Sequence, residues 1–225
     1  MMRSNAMMPP SPTGNPGSKP CRLCNVHADL QVSHIMPRWT YRRVTKDGDP
    51  NPIMINDSIA TRGGAQLKAR LLCKNCEQYV GRFDAYAATV STQPDGRFPA
   101  LETAKHLGSR SPGFVPSDIS SLQTSALGRF AASVVWRTSV SQLVSSVRLG
   151  QRYEDEIASW LRDPTALSPE NVIVFVELLS RADGLPLDKV CYAPLLASRS
   201  PFHTYRFVCF GMAYHVMVGK LYPPH

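Results

Sequence analysis

The chain has no apolar run approaching the roughly 20 residues that a membrane-spanning helix needs. Its N-terminus has no continuous apolar stretch of the kind a secretory leader carries, so the reading places the protein in the cytoplasm. No segment repeats, which sets aside solenoid and array architectures. Acid is also scarce, with 17 Asp and Glu against 25 Lys and Arg, a formal net charge of +8. The shortage is local. Residues 1–110 carry 15 basic and 8 acidic side chains, net +7, whereas residues 111–225 carry 10 and 9, net +1. A basic field attracts polyanions, and nucleic acid is the commonest of them. A solvated surface that keeps the chain soluble accounts for the same charge. The length of 225 residues suffices for one large or two small domains.

What is present is cysteine in pairs. Cys21 and Cys24 stand in CRLC, and Cys73 and Cys76 in LLCKNC. Each short turn points two sulfurs at one point, and the second pair completes a tetrahedral shell of the kind Zn²⁺ takes. In a reducing compartment such pairs read as metal ligands rather than disulfides, redox or unliganded thiols being the other reading. Cys191 and Cys209 have no paired spacing and read as core thiols. Ten residues after Cys24 comes His34, in VSHIMPRW. A histidine inside the cysteine bracket suggests chemistry beside the metal rather than on it.

The pattern along the chain predicts an α+β protein. Residues 1–20, rich in Pro, Ser, Gly and Asn, read as a disordered tail. Residues 21–92 form the cysteine-bracketed module: a cysteine turn, a short strand through Leu30 to Val32 that delivers His34, and a turn at Pro37. Residues 45–65 read as loop around a short apolar piece, Ile53 to Ile55. Residues 76–90 read as a helix with Tyr79, Val80, Phe83 and Ala87 on one stripe. Residues 93–117 read as a linker or irregular segment. In the C-terminal α+β region, 118–225, a long helix is expected over about 118–147, capped by Ser117 or Asp118, and a second over 151–162 ended by Pro164. Residues 171–179 read as a buried strand, and 205–218 as one strand bent at Gly211 or two short ones.

CRLC, SHIMPRW and LLCKNCEQYVGRFD together resemble the HNH endonucleases, and more closely bacterial HNH-type proteins with an SHIIP…LLCxxCEQ pattern. A segment similar to RFAASVVWRTSVS, here at 129–141, accompanies the pattern in those proteins. The resemblance implies a ββα-metal (treble-clef) module stapled by a structural zinc on the four cysteines. It implies that His34 is the general base of a metal-dependent endonuclease acting on DNA, with Mg²⁺ or Mn²⁺ beside it. The metal positions of the family fall on Ser33 and Glu77. Many members have Asp before the histidine and His or Asn on the helix, and this chain departs from both. Asp84, seven residues beyond Glu77, is a further candidate metal ligand. Asn51 and Asn56 are candidates to orient the base. Arg38, Arg42 and Arg43 are candidate phosphate contacts, a solvated face being the plain alternative. His27 reads as a turn residue or a substitute ligand, and Trp39 and Tyr41 as core residues rather than base-stacking platforms.

Two functions of different class follow from these residues. One is the nuclease. The other is a non-catalytic zinc-binding module that binds nucleic acid or a protein partner, motivated by the changed residues at 33 and 77.

Overall fold

The structure is a computed structural model that describes residues 18–46, 53–56, 59–62, 66–106, 122–180, 187, 190–200 and 202–219, with only the backbone for 46, 53–56, 59–62, 105 and 106. It is a mixed α+β fold, as expected. No helix among the described residues is long and apolar enough to cross a membrane.

The N-terminal half is built from short strands. β1 (Lys19–Pro20) pairs antiparallel with β2 (His27–Ala28), and the turn between them carries Cys21 and Cys24. Lys19 and Pro20 are thus a strand rather than the end of a disordered tail, and residues 1–17 lie outside the described residues. The turn is tight because the Cys21 N–H bonds the Val26 carbonyl at 2.9 Å and the Asn25 N–H bonds the Cys21 carbonyl at 2.8 Å. Asn25 adopts φ 60°, a left-handed conformation that Asn tolerates better than most side chains. β3 (Leu30–His34) pairs antiparallel with β6 (Lys68–Cys73), with a register shift between Gln31 and Val32. β6 runs directly into α2 (Lys74–Val90). α1 (Arg38–Lys46) follows Pro37, whose carbonyl takes the Thr40 N–H and hydroxyl.

Three features were not expected from the sequence. β4 (Ile53–Asn56) and β5 (Ile59–Arg62) form a hairpin inside the segment read as loop. α3 (Pro99–His106) lies in the stretch read as linker, where Phe98 and Ala100 are buried. Residues 107–117 lie outside the described residues. β8 (Cys191–Ser198) contains Pro194, which takes no part in a ladder as a donor. It is accommodated at the sheet edge, where the pairing slips between Tyr192 and Leu195.

The second half packs a four-stranded antiparallel sheet on a central helix. The sheet order is β7 (Val172–Leu178), β10 (Met212–Val218), β9 (His203–Cys209), β8. Residues 205–218 therefore form two strands, joined by a two-residue turn at Phe210 and Gly211, both with positive φ. β7 lies at an edge and only Val172 in it is fully buried, so it is not the buried strand expected. α4 (Thr124–Ser141) is shorter than expected: it stops where Gln142 turns left-handed, although Val144 and Val147 continue the apolar pattern. The expected caps, Ser117 and Asp118, lie outside the described residues, and Gln123 stands at the N-cap without a side-chain bond.

α4 is buried on every side from Phe130 to Ser139, as a helix wrapped by other elements must be. Phe130 meets Phe207 and Tyr214 edge-on, with ring centroids at 5.9 and 5.1 Å, and those two rings stack on each other at 4.8 Å. On its other side α4 packs on α5 (Gln151–Arg162), where Gly128 leaves room for Trp160 and Trp136 donates to the Glu154 carbonyl. Cys209 is fully buried opposite Cys191 across the β8–β9 pair, and burial pushes its thiol well above the usual range, as befits a core thiol. The apolar core is continuous from Leu23 to Val218, so both halves share it.

Candidate metal centre and the histidine beside it

The two cysteine turns meet. The ligand atoms of Cys21, Cys24, Cys73 and Cys76 all lie within 4.8 Å of one another, and Cys24 Sγ is 3.9 Å from Cys73 Sγ. A tetrahedral ion with metal–sulfur bonds of about 2.3 Å sets its sulfurs about 3.8 Å apart, so the four thiols are placed to hold a metal ion. The fold gives reasons for this convergence. The Arg22 N–H bonds the Leu71 carbonyl at 2.9 Å, tying the first turn to β6, and the Cys73 N–H donates to Cys21 Sγ at 3.3 Å. Cys76 sits in the first turn of α2, so strand end and helix start are fixed at one point.

The thiols disagree about ionisation. Burial pushes Cys21 up, but N–H donors from Cys24, Cys73 and Leu23 outweigh it and leave the thiol at about 7. Burial and the crowding of Cys73, Cys24 and Cys21 push Cys76 far up, and burial also raises Cys24. Four thiolates so close repel one another, and a bound cation turns that repulsion into ligation. His27 is exposed on β2 and is not part of the group.

At the far end of β3, successive side chains face opposite sides, as strand geometry requires. Ser33 is fully buried and donates its hydroxyl to Glu77 Oε2 of α2 at 2.5 Å. Ser33 and Glu77, the two positions expected to face a metal, are therefore in contact. His34 turns the other way, in register with Lys68, and its Nε2 lies 2.9 Å from Gln66 Oε1, with the Tyr41 ring 6.0 Å off. With the Gln66 amide oxygen facing the ring, Nε2–H is the donor at this contact. Gln66 is thus the orienting partner that sequence reading missed. Asn51 lies outside the described residues, and only the backbone of Asn56 is described. Tyr41 is held in turn: its hydroxyl accepts the Leu67 N–H at 3.2 Å, and burial pushes its ionisation up to about 12.

Two candidates are corrected. Asp84 does not face a metal position, because both its oxygens are taken by the Arg137 guanidinium at 2.9 and 3.1 Å. Arg43 does not face a phosphate. It donates to the carbonyls of Ala88 and Thr92, to Ser91 Oγ and to Gln93 Oε1, and lies over the Trp39 ring at 4.6 Å. A cation clasping the carbonyls at a helix C-terminus caps it. Arg38 and Arg42, one turn apart on α1, are exposed, as is Lys68, and none of the three has an acidic partner among the described residues.

No protein-family model matches the chain, and no curated protein or solved structure matches it significantly.

Proposed function

We propose that this chain is a metal-dependent nuclease of the HNH type that hydrolyses phosphodiester bonds of DNA, with a structural zinc on Cys21, Cys24, Cys73 and Cys76. The observation that carries the reading is the convergence of the four thiols at the start of the same helix whose first turn brings Glu77 against Ser33, next to His34. The cysteine turn, the antiparallel β3–β6 pair and α2 support this reading, with α1 and the β4–β5 hairpin lying between the two strands. An all-thiolate tetrahedral set in this spacing suits zinc above harder ions.

In this reading His34 Nδ1 takes the proton of the attacking water while Gln66 holds Nε2–H, so the ring keeps one tautomer and one orientation. The Glu77 carboxylate is an oxygen donor of the type that Mg²⁺ or Mn²⁺ takes and would hold such an ion, with the buried Ser33 hydroxyl as its hydrogen-bond partner. A hard divalent cation held there would supply charge neutralisation at the phosphate and the leaving oxygen. Arg38, Arg42 and Lys68 are exposed basic side chains that would neutralise the DNA backbone.

A second reading has an observation of its own. The Ser33 hydroxyl is engaged by Glu77, and the His34 ring turns to the other face of the strand. A zinc-clasped module that binds nucleic acid or protein without cutting has the same geometry. Incubating supercoiled plasmid with the purified chain in Mg²⁺, Mn²⁺ or EDTA separates the two. Nicking that needs the added metal supports the nuclease. A zinc-loaded, folded chain that retains DNA in a binding assay but leaves it intact in every metal supports the binding module.

A further inference from the structure

Arg137 is one of two buried arginines of α4, each 2 % exposed, and it lies far in sequence from the cysteine bracket. Its guanidinium does three things at once. Nη1 donates to the backbone carbonyl of His34 at 3.0 Å across a separation of 103 residues. Nη1 and Nη2 hold both Asp84 oxygens, at 3.1 and 2.9 Å. Nε donates to the Ser133 carbonyl at 3.3 Å. The planar fork of arginine is what allows one side chain to meet three fixed acceptors, and a lysine ammonium has no such fork.

We propose that Arg137 is a positioning residue for His34: it fixes the backbone of the base from below while Gln66 fixes the ring, and Asp84 exists to hold Arg137 in place. This rests on the nuclease reading for its catalytic consequence, whereas the Arg137–His34 bond is observed whatever the function. It assigns a role to the C-terminal region, which supplies a bond that the cysteine-bracketed module does not make for itself. His34 is the last residue of β3, and the chain turns at Pro37 directly afterwards. His34 pairs with Lys68, the first residue of β6, and the neighbouring Ile35 N–H bonds the Leu67 carbonyl at 3.0 Å. The carbonyl of His34 thus points out of the strand pair and is satisfied by α4.

A structural role alone gives a different result when the ion pair is removed as a unit. Replacing a buried ion pair by apolar side chains is often neutral for stability, whereas removing one partner strands a charge. The double variant Arg137→Met with Asp84→Leu therefore retains the fold and loses the bond to His34. The expected result is one zinc per chain, a melting temperature near that of the wild type, and kcat for plasmid nicking lower on the order of 100-fold with KM little changed, the size of loss that misplacing a reacting group brings. The His34 imidazole NMR signal, read at one pH, should shift or broaden while signals of the sheet stay in place. Arg137→Lys is the companion, with an intermediate kcat. It is the variant to read if the double one does not fold. Wild-type kcat in a stable double variant, or in Arg137→Lys, together with an unmoved His34 signal, overturns the proposal. If the wild-type chain cuts nothing, the nuclease reading falls, and the His34 signal alone then decides whether Arg137 positions that residue.

Discussion

The two halves of this molecule hold their shape by different means. In the N-terminal half the strands are two to six residues long, and its part of the shared apolar core is flanked by cross-chain polar bonds and by four thiols placed to hold a metal ion. In the C-terminal half a helix buried on all sides sits on a four-stranded sheet, and aromatic packing around Phe130 does the corresponding work. A small module cannot bury enough surface to fold on apolar contact alone, and metal ligation makes up the difference. A frame placed to hold a metal ion carries half-buried His34 at a strand end, and the helix behind it bonds the His34 carbonyl through Arg137.

The comparison breaks first at the clasp. Cys76→Ser should release the metal and forfeit much of a binding free energy of about 10–16 kcal/mol. Metal analysis should then find no zinc, and amide exchange should accelerate in β3, β6 and the first turn of α2 while α4 and β9–β10 stay protected. Equal loss of protection in both halves would show that they do not differ in this way. Next in size is Phe130→Ala, which opens a cavity against Phe207 and Tyr214 and should cost about 3–5 kcal/mol in denaturant unfolding with zinc still bound.

A smaller effect is expected where the halves touch. Gly211 has φ +85°, and a Cβ there would lie 2.5 Å from Thr92 Oγ1 and 3.0 Å from the Phe98 ring. Gly211→Ala should cost about 1–3 kcal/mol, measured as a shift of the unfolding midpoint. The smallest effect on the fold is at the basic surface. Arg38→Ala with Arg42→Ala should leave stability within about 0.5 kcal/mol. It should also reduce the salt slope of DNA binding by about 2, close to one for each phosphate no longer neutralised. An unchanged slope would remove α1 from the nucleic-acid surface.

How much of this was legible follows from where each partner lies. The cysteine pairs could be read because each is a local turn, and α2 and α5 because their apolar residues recur within one element. α4 was over-extended because Val144 and Val147 keep the apolar spacing after Gln142 has ended the helix. β8 was hidden by Pro194, and the β4–β5 hairpin by the Gly, Pro and Asn around it. Asp84 reads as a site residue because it lies seven residues beyond Glu77 on one helix face, and Arg43 because it follows His34 closely. Their true partners, Arg137 and the end of α2, are 45 or more residues away and leave no local signal. Gln66 was missed for the same reason, although its position just before β6, opposite the end of β3, is where a partner for His34 belongs.

The most direct measurement is plasmid nicking by zinc-loaded His34→Ala beside the wild-type chain, at equal concentration in Mg²⁺ and in Mn²⁺. Removing a general base costs about 10²–10⁴-fold. The account predicts a loss of that size with zinc content and melting temperature unchanged. Nicking by the variant at the wild-type rate would contradict it and take the catalytic role away from His34.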